Sequence, residues 1–310
     1  MKIAIIGAGA MGCLYGSKLS QIETNEVYLL DKAKPIIDQI NAEGISLQEE
    51  GGTFSYRKVK GKLTAEEVGP VDLVIIFVKS MFTREAIREN PALFGDSTMV
   101  LTLQNGLGNI QEIEAALGSR ENIIAGTTAH GATNLGPGKV LHAGKGKTVM
   151  GELTGELTPR LEQVKEGFNQ AGIESTTSEN VLGLIWDKLL VNVGINALTG
   201  ITRCCNGKLL EHPELSSILE DAVREGMLVA EKKGIRLSFA DPVAQTKAVC
   251  QATAKNTSSL LQDILHHRKT EIAMINGAIV KEGRLLNIDT PVNELLMKLI
   301  LFFEQEEKSK

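Results

Sequence analysis

Residues 3–12, Ile-Ala-Ile-Ile-Gly-Ala-Gly-Ala-Met-Gly, decide the fold. The short continuous apolar run is what a parallel strand covered on both faces requires. The glycines follow at once in G-x-G-x-x-G spacing. Gly7 permits a tight turn, Gly9 lets the backbone approach a pyrophosphate, and Gly12 lets a helix pack closely on the strand. A helix-like segment then runs to about Ser20, and a second strand, residues 27–30, ends at Asp31. Strand, glycine loop, helix, strand and acid in this order read as a dinucleotide site built from Gly7, Ala8, Gly9, Ala10, Met11, Gly12 and Asp31, with the helix N-terminus facing the phosphates. A carboxylate at Asp31 accepts both ribose hydroxyls and repels a 2′-phosphate, which favours NAD(H). Lys32 and Lys34 follow immediately and could reach a phosphate instead, or could belong to a solvated loop.

Working outward, residues 71–78, 98–103 and 123–128 read as three further buried strands. They end in Lys79-Ser80, Gln104-Asn105-Gly106 and Ala129-His130-Gly131. Ligands of an open α/β sheet lie across the carboxyl ends of its strands, so Lys79, Asn105 and His130 become candidates. Plain loop chemistry is the competing explanation, and Asn-Gly is a common turn pair. Residues 45–59 read as a hairpin. Two short strands at 140–142 and 148–150 are expected to finish the same sheet, followed by an amphipathic helix over 159–172 and a last strand at 173–176. Of the 31 glycines, 21 precede residue 156, so turns and backbone–ligand contacts belong mainly to the first half.

The second half is helical throughout. Ser178 can cap a helix and Gly200 can end one, and the residues between are apolar on nearly every side, the mark of a buried helix. Lys188, Asn192 and Asn196 nevertheless recur four apart as one polar stripe. A lysine on such a helix either snorkels to solvent or is used by something outside the helix. Glu271 is expected on a helical face with Met274, Ile275, Ala278 and Ile279, where a carboxylate wants a partner. Lys188 is the natural one, and an N-terminal-turn glutamate is the alternative. His212-Pro213, Asp241-Pro242 and Thr290-Pro291 open further helices. The expected architecture is α/β: a doubly wound Rossmann-type sheet over residues 1–177, then an all-helical domain over 178–310 that carries substrate and catalysis.

Composition narrows the classes. With 310 residues, 43% hydrophobic and 23% charged, and a net charge of −5, the chain has no footprint for nucleic acid or an anionic membrane. Its uncharged apolar runs fall well short of a membrane span. The N-terminus enters a strand directly, with no signal-peptide layout, so a cytoplasmic location is expected. The four cysteines form no CxxC pair, no metal-ligand spacing exists, and His266-His267 reads as surface. Leu299, Ile300, Phe302 and Phe303 on the last helix suit either a homodimer surface or core.

Taken together, these residues resemble the ketopantoate reductase (2-dehydropantoate 2-reductase) family over nearly the whole chain. The resemblance runs through GAGAMG at 7–12, VK at 78–79, QNG at 104–106 and GTTAHGA at 126–132. It continues through WDKLLVNVGINALTG at 186–200, NGKL at 206–209, SSLLQDI at 258–264 and RKTEIAMING at 268–277. It implies a catalytic lysine at Lys188 and a catalytic glutamate at Glu271. It implies substrate-binding Asn105, Asn192, Asn196, Asn206 and Ser259, and Lys79 near the nicotinamide. It also implies a small 2-keto acid substrate in a cleft between the domains, NADP(H), and a role in pantothenate synthesis. Asp31 departs from the arginine that the family commonly uses to hold the NADPH 2′-phosphate. An NAD-dependent D-2-hydroxyacid dehydrogenase acting on another branched 2-keto acid therefore stays open. A catalytically silent dinucleotide-binding protein is a third reading, against which the lysine and glutamate argue.

Overall fold

Strand β1 (Lys2–Ile6) sends alternate side chains to opposite faces: Ile3 and Ile5 enter one core, Ala4 and Ile6 another. The computed structural model describes residues 1–56 and 58–308. These form two compact units, Met1–Gln104 with Asn109–Val181, and Asn105–Gly108 with the chain from Leu182 onward.

The first unit holds twelve strands among the described residues. They are β1, β2 (Glu26–Leu30), β3 (Ile45–Glu49), β4 (Gly52–Tyr56), β5 (Lys60–Lys62), β6 (Leu73–Ile76), β7 (Met99–Thr102), β8 (Ile123–Thr128), β9 (Gly131–Gly136), β10 (Lys139–Gly144), β11 (Thr148–Glu152) and β12 (Ser175–Thr177). Eight of them make one sheet in the order β12-β11-β8-β7-β6-β1-β2-β5. The central strands are parallel, and β11 runs antiparallel to β8. The order reverses at β1, which has β2 on one side and β6 on the other, as in a doubly wound Rossmann-type sheet. Both faces are covered, by residues such as Leu14, Leu19 and Phe168 on one side and Ile87, Leu93 and Ile113 on the other.

Residues 140–142 do not finish the main sheet. β10 pairs in parallel with β3 and antiparallel with β9, within a separate four-stranded sheet ordered β4-β3-β10-β9. Its burial alternates: Val140 and His142 turn inward while Lys139 and Ala143 are exposed. That is the pattern of a one-face flanking strand rather than of a central one.

The second unit is helical. Its central helix, Val181–Thr202, is long and apolar enough by length and composition to cross a membrane, yet 67% of its most apolar window is buried inside the structure. Neighbouring helices come close because small residues face them. A Cβ at Gly194 would lie 2.9 Å from Val223 and one at Gly226 2.5 Å from Leu190. Gly200 does not end this helix. Its Cβ would lie 2.4 Å from Leu260, so glycine serves close packing, and the chain turns only at Arg203, whose φ is 54°. Ser178 is not its cap either. The Ser178 hydroxyl accepts the Asn180 N–H in a turn before the helix starts. Proline begins the helices Pro213–Lys232, Pro242–Ala252 and Pro291–Lys308. Buried Glu225 receives the Val292 and Asn293 amides and so caps the last of these. On that helix Ile300 is core and Phe303 packs against it, while Leu299 and Phe302 are exposed.

Candidate active site

The glycine loop is set by contacts that only glycine permits. Gly7 has φ +110°, and a Cβ there would lie 2.8 Å from the Phe77 and Val78 backbone. A Cβ at Gly12 would lie 1.9 Å from the Gly7 carbonyl oxygen. Gly9 differs, since nothing lies within 4 Å of its Cβ position, so backbone is offered to open space there. The helix Ala10–Leu19 starts at Gly9 with no side-chain cap, leaving first-turn amides for an anion. Asp31 is held from two sides: its Oδ2 accepts the Ala8 N–H at 2.8 Å and its Oδ1 the Ala33 N–H at 2.9 Å. This cradle, with a ribose acceptor built into it, fits a dinucleotide.

The surrounding groups sort by burial. Cys13 is enclosed, and burial, then the charge of Asp31, push its thiol up to about 12, which makes it inert. Lys32 is exposed and binds Glu85 at 2.6 Å and Glu89 at 2.7 Å. Lys34 binds Asp38 at 2.6 Å. Lys79 is half-buried where β6 gives way to the short turn Ser80–Phe82. His130 follows β8 and meets His142, which meets Glu49, which meets Lys18. This four-group chain carries no local sequence signal, because each member comes from a different segment.

In the second unit, Lys188, Asn192 and Asn196 occupy successive turns of the Val181–Thr202 helix. Lys188 keeps partial solvent contact, but its surroundings lower the ammonium pKa to about 8. Burial is the main cause, opposed by the charge of Glu271. Glu271 is not on a helical face, contrary to the expectation from periodicity. It leads a single 3₁₀ turn, Ile272–Met274, and the helix begins only at Asn276. The break at Ile275 (φ −109°, ψ −94°) lets the chain change direction, and Asn276 Nδ2 then donates to the Val193 carbonyl at 3.2 Å. That bond ties the Glu271 segment to the Lys188 helix.

Asn105 groups with this unit rather than with the glycine loop. The reason is local: Gly106, at φ +79°, passes so close to Met274 that a Cβ would lie 2.3 Å from its carbonyl oxygen, and Leu107 N–H donates to that oxygen at 2.9 Å. Asn206 is buried. Its Nδ2 donates to Thr253 Oγ1 at 2.9 Å, while its Oδ1 has no hydrogen-bond partner among the described residues. Asn196 is likewise buried with Nδ2 unpaired. Ser259 is the exposed first residue of the helix Ser259–Leu265. Its neighbour Ser258 caps that helix and accepts Thr199 Oγ1–H at 2.7 Å. Thr199, Thr253 and Ser258 are supports that residue-type reasoning did not single out. Small hydroxyls give no signal until their partners are known.

Residues 3–155 match the family described as "Ketopantoate reductase PanE/ApbA", and residues 180–304 match "Ketopantoate reductase PanE/ApbA C terminal". The chain belongs to the ketopantoate reductase family. It is therefore an oxidoreductase of a nicotinamide-dependent family. A relative from Halobacterium salinarum named 2-dehydropantoate 2-reductase is 35% identical over 306 residues, covering 99% of this chain and 100% of the relative. One of the same name from Pyrococcus horikoshii is 36% identical over 301 residues, covering 97% and 96%. Among solved structures, the ternary structure of D-mandelate dehydrogenase with NADH and anilino(oxo)acetate has a TM-score of 0.93 at 30% identity, covering 99% of this chain and 100% of that one.

Proposed function

We propose that this ketopantoate reductase family member is an NADH-using 2-dehydropantoate 2-reductase, forming (R)-pantoate in pantothenate biosynthesis with Lys188 as general acid. The observation that carries the reading is the coupling of Lys188 to Glu271 on a helix whose next turns bear Asn192 and Asn196. Reducing a ketone to an alcohol places a hydride on the carbonyl carbon and a proton on its oxygen, and the bound nicotinamide supplies the hydride. Lys188, with a pKa near 8, is protonated at neutral pH, so its ammonium stabilises the forming alkoxide and donates the proton. Glu271 opposes the loss of that charge and accepts from a substrate hydroxyl. Asn196 Nδ2, an unpaired donor, suits a carboxylate oxygen, and Asn206 Oδ1, an unpaired acceptor, suits a hydroxyl. Asn105, Asn192 and Ser259 complete the orientation of the acid. By the family resemblance, Lys79 would lie near the nicotinamide half of the cofactor. Asp31, already oriented by two amides, supports the choice of NADH.

The likeness to D-mandelate dehydrogenase with NADH, together with Asp31, favours a second reading: an NADH-dependent D-2-hydroxyacid dehydrogenase for another branched 2-keto acid. One experiment separates the two. Purified protein is mixed with ketopantoate, and loss of NADH and NADPH absorbance is followed in parallel. Turnover with NADH is expected. Turnover only with NADPH overturns the cofactor choice. Silence with ketopantoate but turnover of another branched 2-keto acid selects the second reading, and silence with every 2-keto acid overturns both.

A further inference from the structure

Lys32 is the cation that the chain places directly after Asp31, at the end of β2, where the ribose of a dinucleotide's adenosine is read. A free ammonium there offers a 2′-phosphate its counter-charge. This ammonium is held instead. Its Nζ lies 2.6 Å from Glu85 Oε1 and 2.7 Å from Glu89 Oε2. Glu85 sits on the helix Thr83–Arg88 and Glu89 caps its end, four residues on, so both carboxylates share one face. Lys34, the next cation along the chain, points to Asp38 within its own helix at 2.6 Å. All three lysine–carboxylate pairs are exposed. Exposed pairs contribute little to stability, so fold maintenance does not account for two carboxylates converging on one lysine.

We infer that Glu85 and Glu89 are cofactor-specificity residues, which hold the Lys32 ammonium away from a 2′-phosphate and leave Asp31 to select a 2′-hydroxyl. The inference rests on the NADH reading above. A 2′-phosphate carries close to two negative charges and must compete with two carboxylates for one ammonium, against their combined repulsion. An adenosine with a free 2′-hydroxyl meets no such competition.

The test titrates NADPH and NADH separately into three full-length proteins by calorimetry: wild type, Glu85→Gln/Glu89→Gln, and that double variant with Lys32→Ala added. The double variant is expected to bind NADPH about five- to tenfold more tightly than wild type, with NADH affinity changed less than twofold. Adding Lys32→Ala is expected to abolish the gain. Unchanged NADH binding shows that the site has folded. The inference is overturned if the double variant gains less than twofold for NADPH, if NADH gains equally, or if the gain survives Lys32→Ala. The cofactor reading falls on a different result, a wild type that binds NADPH more tightly than NADH. The variant comparison judges the inference whichever cofactor wild type prefers.

Discussion

Lys32 and Lys188 are the same side chain in opposite surroundings. Lys32 stands in solvent, is gripped by two carboxylates, and is raised above the ordinary lysine range by Glu85 first and Glu89 second. Lys188 sits on a core helix, and burial drops it to about 8 even though Glu271 opposes the shift. Partnering with carboxylates ties up the first, whereas desolvation makes the second a usable proton donor near neutrality. The candidate site of the first unit is backbone and exposed charge. The candidate site of the second is side chains on and beside a core helix.

The largest effect that can break this contrast is at Lys188. Lys188→Met is expected to lower kcat for keto-acid reduction by about two orders of magnitude or more. Its thermal midpoint is expected to stay within about 4 °C of wild type, because relief of a desolvated ammonium is offset by the counter-charge that Glu271 loses. Lys32→Met is expected to leave kcat within twofold. Steady-state kinetics and melting curves on both variants check this. A Lys188→Met enzyme with wild-type kcat makes that lysine a snorkelling core residue.

The shifted lysine also predicts opposite pH limbs. If Lys188 is the general acid, reduction needs the ammonium, so its kcat/KM falls about tenfold per unit as pH rises beyond the Lys188 value of about 8. Oxidation of the hydroxy acid then needs the free amine, so its kcat/KM rises through the same region. Profiles measured in both directions on one protein settle it. Parallel limbs remove Lys188 from proton transfer, and opposite limbs that break near pH 10 instead remove the burial shift.

In the first unit a smaller change separates function from fold. The space beside Gly9 is open and its φ of −72° suits any residue, so Gly9→Ala is expected to melt within about 1 °C of wild type. The added methyl nevertheless stands where a pyrophosphate meets backbone, and dinucleotide affinity is expected to fall about tenfold or more. Calorimetric titration checks it. Unchanged affinity places the phosphates elsewhere.

These regions also differ in how readily the chain discloses them. The glycine loop and the strands of the parallel sheet rest on local rules, spacing and continuous apolarity, so they can be read before any contact is known. Lys188, Asn192 and Asn196 are legible for the same reason, since a polar stripe on an apolar helix is a local contradiction. The rest depends on distant partners. Alternation at 140–142 suits either sheet, and only the company of β3 and β9 decides. Gly200 reads as a stop until Leu260 is seen against it. Glu271 reads as helical because its spacing is right, while the break at Ile275 serves contacts to the Val181–Thr202 helix. The carboxylates around Lys32 lie more than fifty residues further along the chain.

The smallest expected effect concerns a chain of groups drawn from four segments of the first unit. Lys18 Nζ lies 3.1 Å from Glu49 Oε2, which lies 3.2 Å from His142 Nδ1, and His142 Nε2 lies 3.0 Å from His130 Nδ1. A carboxylate held by a lysine accepts from His142 Nδ1–H. The Gly146 N–H donates to His130 Nδ1 at 3.4 Å, so that nitrogen is an acceptor and the neutral His130 ring carries its proton on Nε2. A second proton on Nδ1 would meet that N–H, and His130 Nε2 is buried without a partner among the described residues. Burial, then His142 and Lys18, lower His130 from 6.5 to about 4. The folded ring therefore stays neutral down to about pH 4, while the unfolded ring takes up a proton near 6.5. Between those values the unfolded state binds more protons, so this contribution to stability is complete above pH 6.5 and fades on acidification. Partial exposure of the ring screens the effect, and the wild-type midpoint is expected to drop about 2–4 °C more between pH 7 and pH 5 than that of His130→Asn. Melting curves at the two pH values measure the difference of slopes, which is insensitive to any pH-independent cost of the substitution. Equal drops in the two proteins would mean that His130 titrates alike in both states, and that its buried nitrogen finds a partner when the ring is charged.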